Sequence, residues 1–180
     1  MSHQPDSGAG RRTIPDPGFA GDDGAADPAL AAALATLAAD RGRHLEVFLA
    51  LQHARLLVPV LAVPGEVEVD DGGLATEKTS DMATVLVTGR DGRQAMLGFT
   101  SVATLAAWRT DARPVPVAAP VVAVSALEAG AAALVVDLAG PTTYVVEGDL
   151  LEGLARGWVL ADTGQGLALV EEVDEDEVSE

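Results

Sequence analysis

Two strand-like runs separated by a glycine-bounded turn constrain this chain more than any other feature. Thr84–Thr88 and Gln94–Phe99 carry β-branched and apolar residues, with Gly89-Arg90-Asp91-Gly92 between them. Asp-Gly tolerates the positive φ angles of tight hairpin turns, so the spacing predicts an antiparallel hairpin. The fold must therefore contain a sheet, and the remaining segments are read for what completes and covers it.

Asp27-Pro28 starts a helix well, with Asp as N-cap and Pro in the first turn. Leu30, Leu34 and Leu37 then recur at helical spacing over Ala29–Ala39. A second helix is expected over His44–Ala54, with Leu45, Phe48 and Leu49 as its apolar stripe. Arg55–Val63 is a continuous apolar run that reads as a strand buried on both faces, and Pro59 suggests an edge or a bulge. Glu66-Val-Glu-Val alternates as a short exposed strand does, closed by Asp71-Gly72-Gly73. Thr100-Ser101 caps a helix to Trp108 that presents Val102, Leu105 and Trp108 on one face. Further helices are expected over Pro120–Glu128 and from Gly148-Asp149 to Arg156, and strands over Ala132–Leu138, Thr142–Val146 and Trp158–Ala161. The product is an α/β (α+β) domain, a mixed sheet of five to seven strands covered by helices. Residues 1–27 and 163–180 are expected to be disordered acidic tails around a domain at 28–162.

Charge narrows the partners. The net charge is −17, and residues 171–180 hold seven carboxylates and no base. A surface of this sign repels phosphate backbones and argues against nucleic-acid binding. The most apolar stretch, Pro114–Gly140, is broken by Pro116, Pro120, Glu128, Gly130 and Asp137, which argues against a membrane span. There is no cysteine, hence no disulfide, thiolate ligand or Cys nucleophile. With a polar, proline-rich start and no signal-peptide pattern, this fits the cytoplasm.

No catalytic constellation is legible, and no cofactor or metal is expected. His44 and His53 are nine residues apart, on opposite sides of a helix, and His3 lies in the N-terminal tail. Ser80, Ser101 and Ser125 lack a nucleophile elbow. Gly72 followed by Glu77-Lys78-Thr79 imitates a phosphate loop, but Glu77 puts a carboxylate where a glycine must stand. Glu66, Glu68, Asp70, Asp71 and Asp81 do not match calcium-loop spacing. What remains is a dense polar run before an apolar strand: Glu77, Lys78, Thr79, Ser80, Asp81 and Met82, with Lys78 the only lysine in the chain. It is either a loop that satisfies strand ends or a recognition loop presenting one cation among acids.

Together, Arg55-Leu-Leu-Val-Pro-Val, Glu77-Lys-Thr-Ser-Asp-Met, Leu86-Val-Thr-Gly-Arg-Asp-Gly-Arg, Phe99-Thr-Ser and Ala133-Leu-Val-Val-Asp-Leu-Ala-Gly-Pro resemble the N-terminal domain of the enhanced-serine-sensitivity (SseB) family. The resemblance spans roughly Pro28–Leu160. It implies an α/β domain with no established activity or catalytic residues to carry over. Fuller members have a second, C-terminal domain where this chain is expected to end in an acidic tail. The expectation is a non-enzymatic cytoplasmic interaction or regulatory module with a protein partner, using the loop at 77–82. Two alternatives stand beside it. One is a small-molecule binder or enzyme linked to amino-acid (serine) metabolism, with Lys78, Ser80 and Asp81 converging on Thr100 or Ser101. The other is a self-associating homo-oligomer.

Overall fold

A computed structural model describes residues 19, 21–62, 68–69, 75–76, 82–162 and 167–171. In chain order the described elements begin with α1 (Pro28–Ala39), a 3-10 turn at Arg41–Arg43, α2 (His44–Gln52) and β1 (Arg55–Ala62). The short strands β2 (Glu68–Val69), β3 (Ala75–Thr76), β4 (Met82–Thr84) and β5 (Leu86–Thr88) lead to β6 (Gln94–Gly98) and α3 (Val102–Trp108). Then come β7 (Arg113–Ala118), α4 (Ala119–Glu128), β8 (Ala133–Val136), β9 (Tyr144–Glu147), α5 (Asp149–Arg156), β10 (Val159–Asp162) and β11 (Leu167–Val170). The class is α+β, as the residue pattern implied.

Seven strands form two sheets, β4-β1-β7 and β5-β6-β8-β9, with β2-β3 and β10-β11 as separate antiparallel pairs. The larger sheet is mixed, because β6 runs parallel to β8 while its outer pairs are antiparallel. Leu57 and Phe99 join the two sheets by exchanging backbone hydrogen bonds of 2.7 and 2.9 Å. The predicted hairpin is present: Thr88 pairs with Gln94, Gly89 N–H donates to Arg93 O, and Gly92 supplies a φ of 81°.

Prolines explain how β1 and β7 pair. Leu57 gives its N–H to Phe99, so Pro59, two residues on, also turns its nitrogen away from β7. That position falls between Leu57, bonded to Phe99, and Leu61, paired with Ala83, where no partner carbonyl is required. Pro59 is thus tolerated in a strand with neighbours on both sides rather than at an edge. Across the ladder Pro59 faces Pro114 and Leu57 faces Pro116, so both β7 prolines point their nitrogens outward. A β7 edge without those donors resists pairing with a further strand. Those two prolines hid β7 from the sequence pattern.

Side-chain alternation on the strands divides the core in two. Leu56, Val58, Met96, Leu134, Val136 and Val146 face one way and pack with α1, α2, α4 and α5. Leu57, Leu97 and Phe99 face the other way and pack with Leu105 and Trp108 of α3, where the Phe99 and Trp108 rings stack at 5.4 Å. The helix caps follow the sequence. Asp27 accepts from Leu30 N–H, and Ser101 with Thr104 forms a capping box.

Four expectations change. The buried stripe of α2 is Val47, Phe48 and Leu51, while Leu49 is exposed, because the helix meets α1 and the sheet one residue further round. Val102 is also exposed. Beyond 162, Leu167–Val170 form β11, which pairs with β10, and Leu169 packs on the core beside Gly153 of α5. At the other end, residues 21–27 are tied down rather than free. Arg55 binds Asp22 and the Ala25 carbonyl, and Val102 N–H donates to Gly24 O.

Candidate functional site

Of the predicted recognition loop, Glu77, Lys78, Thr79, Ser80 and Asp81 lie outside the described residues. Met82 opens β4, where its backbone pairs with Ala62. Thr100 and Ser101, which the small-molecule alternative sets beside that loop, line a cleft of about 420 Å³ against α1.

The cleft sits at the carboxyl ends of the parallel strands β6 and β8, where adjacent chains leave the sheet for different destinations. One wall is the Ala31, Leu34, Ala35 and Ala38 side of α1, and the opposite rim is Pro141 and Thr142. Asp137 forms part of the lining although only 3% of its surface is exposed. Its carboxylate accepts from Thr100 N–H at 2.9 Å and from the Thr100 hydroxyl at 2.7 Å. Asp137 has φ 54°, a left-handed conformation that Asp adopts more readily than bulkier residues. Its carbonyl is held by Gly140 N–H at 2.9 Å and the Thr143 hydroxyl at 3.0 Å. Gly140 has no room for a side chain, since a Cβ there would lie 2.9 Å from that of Asp137. The sequence signal is an acid ending the apolar run Ala133–Val136 just before Gly140-Pro141, within the stretch that resembles the family.

Arg55 carries the network from this turn to the N-terminal segment. It donates to Thr100 O at 2.5 Å, to the Ala25 carbonyl, and through Nε and Nη2 to the two carboxylate oxygens of Asp22. The hydrogen bonds from Arg55 hold the Asp22 carboxyl below its usual range. Residues 22–27 thereby form a strap along one end of the cleft, to which Ala26 contributes.

A second surface stands out on α4. Its inner side, Ala119, Val122, Ala123 and Ala126, is buried against the core. Its outer side presents Val121, Val124 and Leu127, exposed by 54%, 38% and 40%. Ser125 and Glu128 are the only polar residues of the helix. Between α4 and the sheet lies a dimple of about 140 Å³, lined by Val58, Val60, Met96, Val115, Val117, Val122 and Ser125. Val115 is itself exposed.

Among the described residues, His44 and His53 do not converge. His44 is the first residue of α2, and its carbonyl accepts the Tyr144 hydroxyl at 3.0 Å, whereas His53 follows the other end of the helix. Burial pushes the Tyr144 hydroxyl up to about 12. Among the described residues no cluster of three or more His, Asp or Glu side chains is placed to hold a metal, and no helix is long and apolar enough to cross a membrane.

No curated protein and no solved structure matches the chain. A family model does, that of the SseB protein N-terminal domain, over residues 30–153. That span runs from α1 into α5 and includes the strands that build the Asp137 turn and the exposed α4 helix. The chain belongs to the SseB N-terminal domain family.

Proposed function

We propose that this domain is a non-enzymatic interaction module that docks a protein partner, with regulatory consequences, through the outer face of α4. The observation that carries this reading is a helix whose water-facing side is mostly aliphatic, with Val121, Val124 and Leu127 beside Ser125 and Glu128. A surface helix normally turns charged and polar residues to that side. Three large aliphatic side chains at a spacing of three residues supply the contact surface, and a dimple of about 140 Å³ on the Val122 and Ser125 flank of the same helix supplies an anchor site of the kind found at interface centres. A cavity of that size holds a benzene-sized group, so the partner's anchor is one aliphatic or aromatic side chain.

Charge selects the rest of the partner. A chain of net charge −17 repels a second copy of itself and attracts a basic rim. The test compares affinity capture by the native chain with capture by Val121→Lys/Leu127→Lys, followed by titration of the recovered partner in purified form. A partner that binds the native chain with at least about tenfold higher affinity, and more weakly as salt rises, supports the proposal. Equal binding by both chains would overturn it. A native chain that scatters light as a dimer, and a variant that does not, would replace the partner with a second copy.

A further inference from the structure

We infer that the cleft between α1 and the Asp137 turn is a binding site for a small organic ammonium compound with a short apolar body. The site is independent of the α4 face. Its floor holds a carboxylate that is almost wholly buried, at 3% exposure. A carboxylate offers about four acceptor positions, and the two hydrogen bonds from Thr100 use half of them. The guanidinium of Arg55 approaches the same turn but is committed to Asp22 and to the carbonyls of Ala25 and Thr100. Among the described residues that line the cleft there is no Lys, Arg or His, so Asp137 is its one charged group.

A buried carboxylate is stabilised most by a cation that also donates hydrogen bonds. An ammonium group brings three donors. The remaining Asp137 capacity and the Thr142 hydroxyl are the acceptors around it, the Ser101 and Thr104 hydroxyls being engaged in the α3 capping box. The wall of Ala31, Ala35 and Ala38 has no polar side chain and accepts a short hydrocarbon body by contact alone. The same lining rejects phosphates and carboxylates, whose charge would meet Asp137 with nothing to offset it. A volume of about 420 Å³ falls within the range of small-molecule sites.

The experiment titrates the isotope-labelled full chain, at neutral pH and physiological ionic strength, with a graded series of probes. The series is propyl-, butyl-, pentyl- and hexylammonium, each beside the alcohol and the carboxylate of equal length, followed by amide NMR. The expected result is a shift of the Thr100, Ser101, Asp137 and Gly140 amides by at least one ammonium, at least about tenfold weaker for its alcohol and absent for its carboxylate. Ala35→Leu, on the exposed wall of the helix, is expected to weaken the same response at least about tenfold while leaving the spectrum folded. Asp137→Asn should do likewise if it folds. Equal shifts from alcohol and ammonium, shifts spread over the acidic surface rather than the cleft, a response unchanged in Ala35→Leu, or no cleft response from any member would each overturn the assignment.

Discussion

The Asp137 turn and the α4 helix break the same rule in opposite directions. One buries a carboxylate and the other exposes a row of aliphatic side chains. Around Asp137 the exception is answered within the chain, since Thr100 donates twice to the carboxylate and Gly140 and Thr143 hold its carbonyl. Among the described residues nothing covers Val121, Val124 or Leu127. An exception answered internally belongs to folding first, whereas one left open points outward to a partner. That difference can be broken by substitution, and the expected effects on stability fall in a definite order.

Asp137→Ala should be the most costly. It leaves the Thr100 N–H and hydroxyl buried without their acceptor and puts alanine at a φ of 54°. The two losses together amount to about 3 kcal/mol. Urea unfolding followed by tryptophan fluorescence should show the midpoint fall accordingly. Asp137→Asn keeps one acceptor oxygen and a residue suited to that φ, so it should lose roughly half as much. Equal midpoints for Asn and Ala would mean that the charge, not the hydrogen bonds, holds the turn.

Tyr144 offers a second internal answer, read by pH. Its hydroxyl donates to His44 O, and burial raises it from 10.0 to about 12. The folded chain therefore holds this proton where the unfolded chain has lost it. Stability is fully present below pH 10.0 and drains away as pH rises towards about 12. Tyr144 is the only tyrosine, so phenolate absorbance reports it alone. Tyr144→Phe should flatten this part of the stability profile and cost about 1 kcal/mol at neutral pH.

The strap gives a smaller, local effect at the acid end. Arg55 depresses the Asp22 carboxyl below 3.8, so the clamp contributes fully above that value and is lost as pH falls through the lower folded value. The Gly24 amide, which donates to Asp22 at 2.7 Å, and the Val102 amide, bonded to Gly24 O, should titrate together with a midpoint below 3.8. In Arg55→Gln the midpoint should move upward. A midpoint indifferent to Arg55 would dissolve the clamp.

Local grammar was legible and long-range pairing was not. Asp27-Pro28, Ser101 with Thr104, and Gly92 each act within four residues, so the chain states them directly. The run Arg55–Val63 announced burial on both faces, which β1 meets by serving both core clusters. Strand β7 was not legible, because Pro114 and Pro116 argue against a strand until β1 shows that their nitrogens face away from it. The same limit hid the cleft. Thr100 and Asp137 are thirty-seven residues apart and meet only because β6 and β8 lie side by side. The loop at 77–82 drew notice by its density of polar residues, a signal that says nothing about what the fold places opposite.

The smallest effect on stability is expected on α4, and it sharpens the contrast most. Val121→Lys and Leu127→Lys each replace an exposed aliphatic chain with one whose stem covers similar surface while its charge stays in water. Lysine is also a better helix former than valine and matches leucine closely. The urea midpoint should therefore hold to within about 0.5 kcal/mol for either variant. Val122→Lys, one position away and buried at 1% exposure, would put the charge into the core and should unfold the chain. If the two outer lysines cost as much as the inner one, the outer face is part of the fold and the proposed docking surface is lost. If they cost nothing and abolish partner binding, three aliphatic side chains have been kept in water for a purpose other than stability.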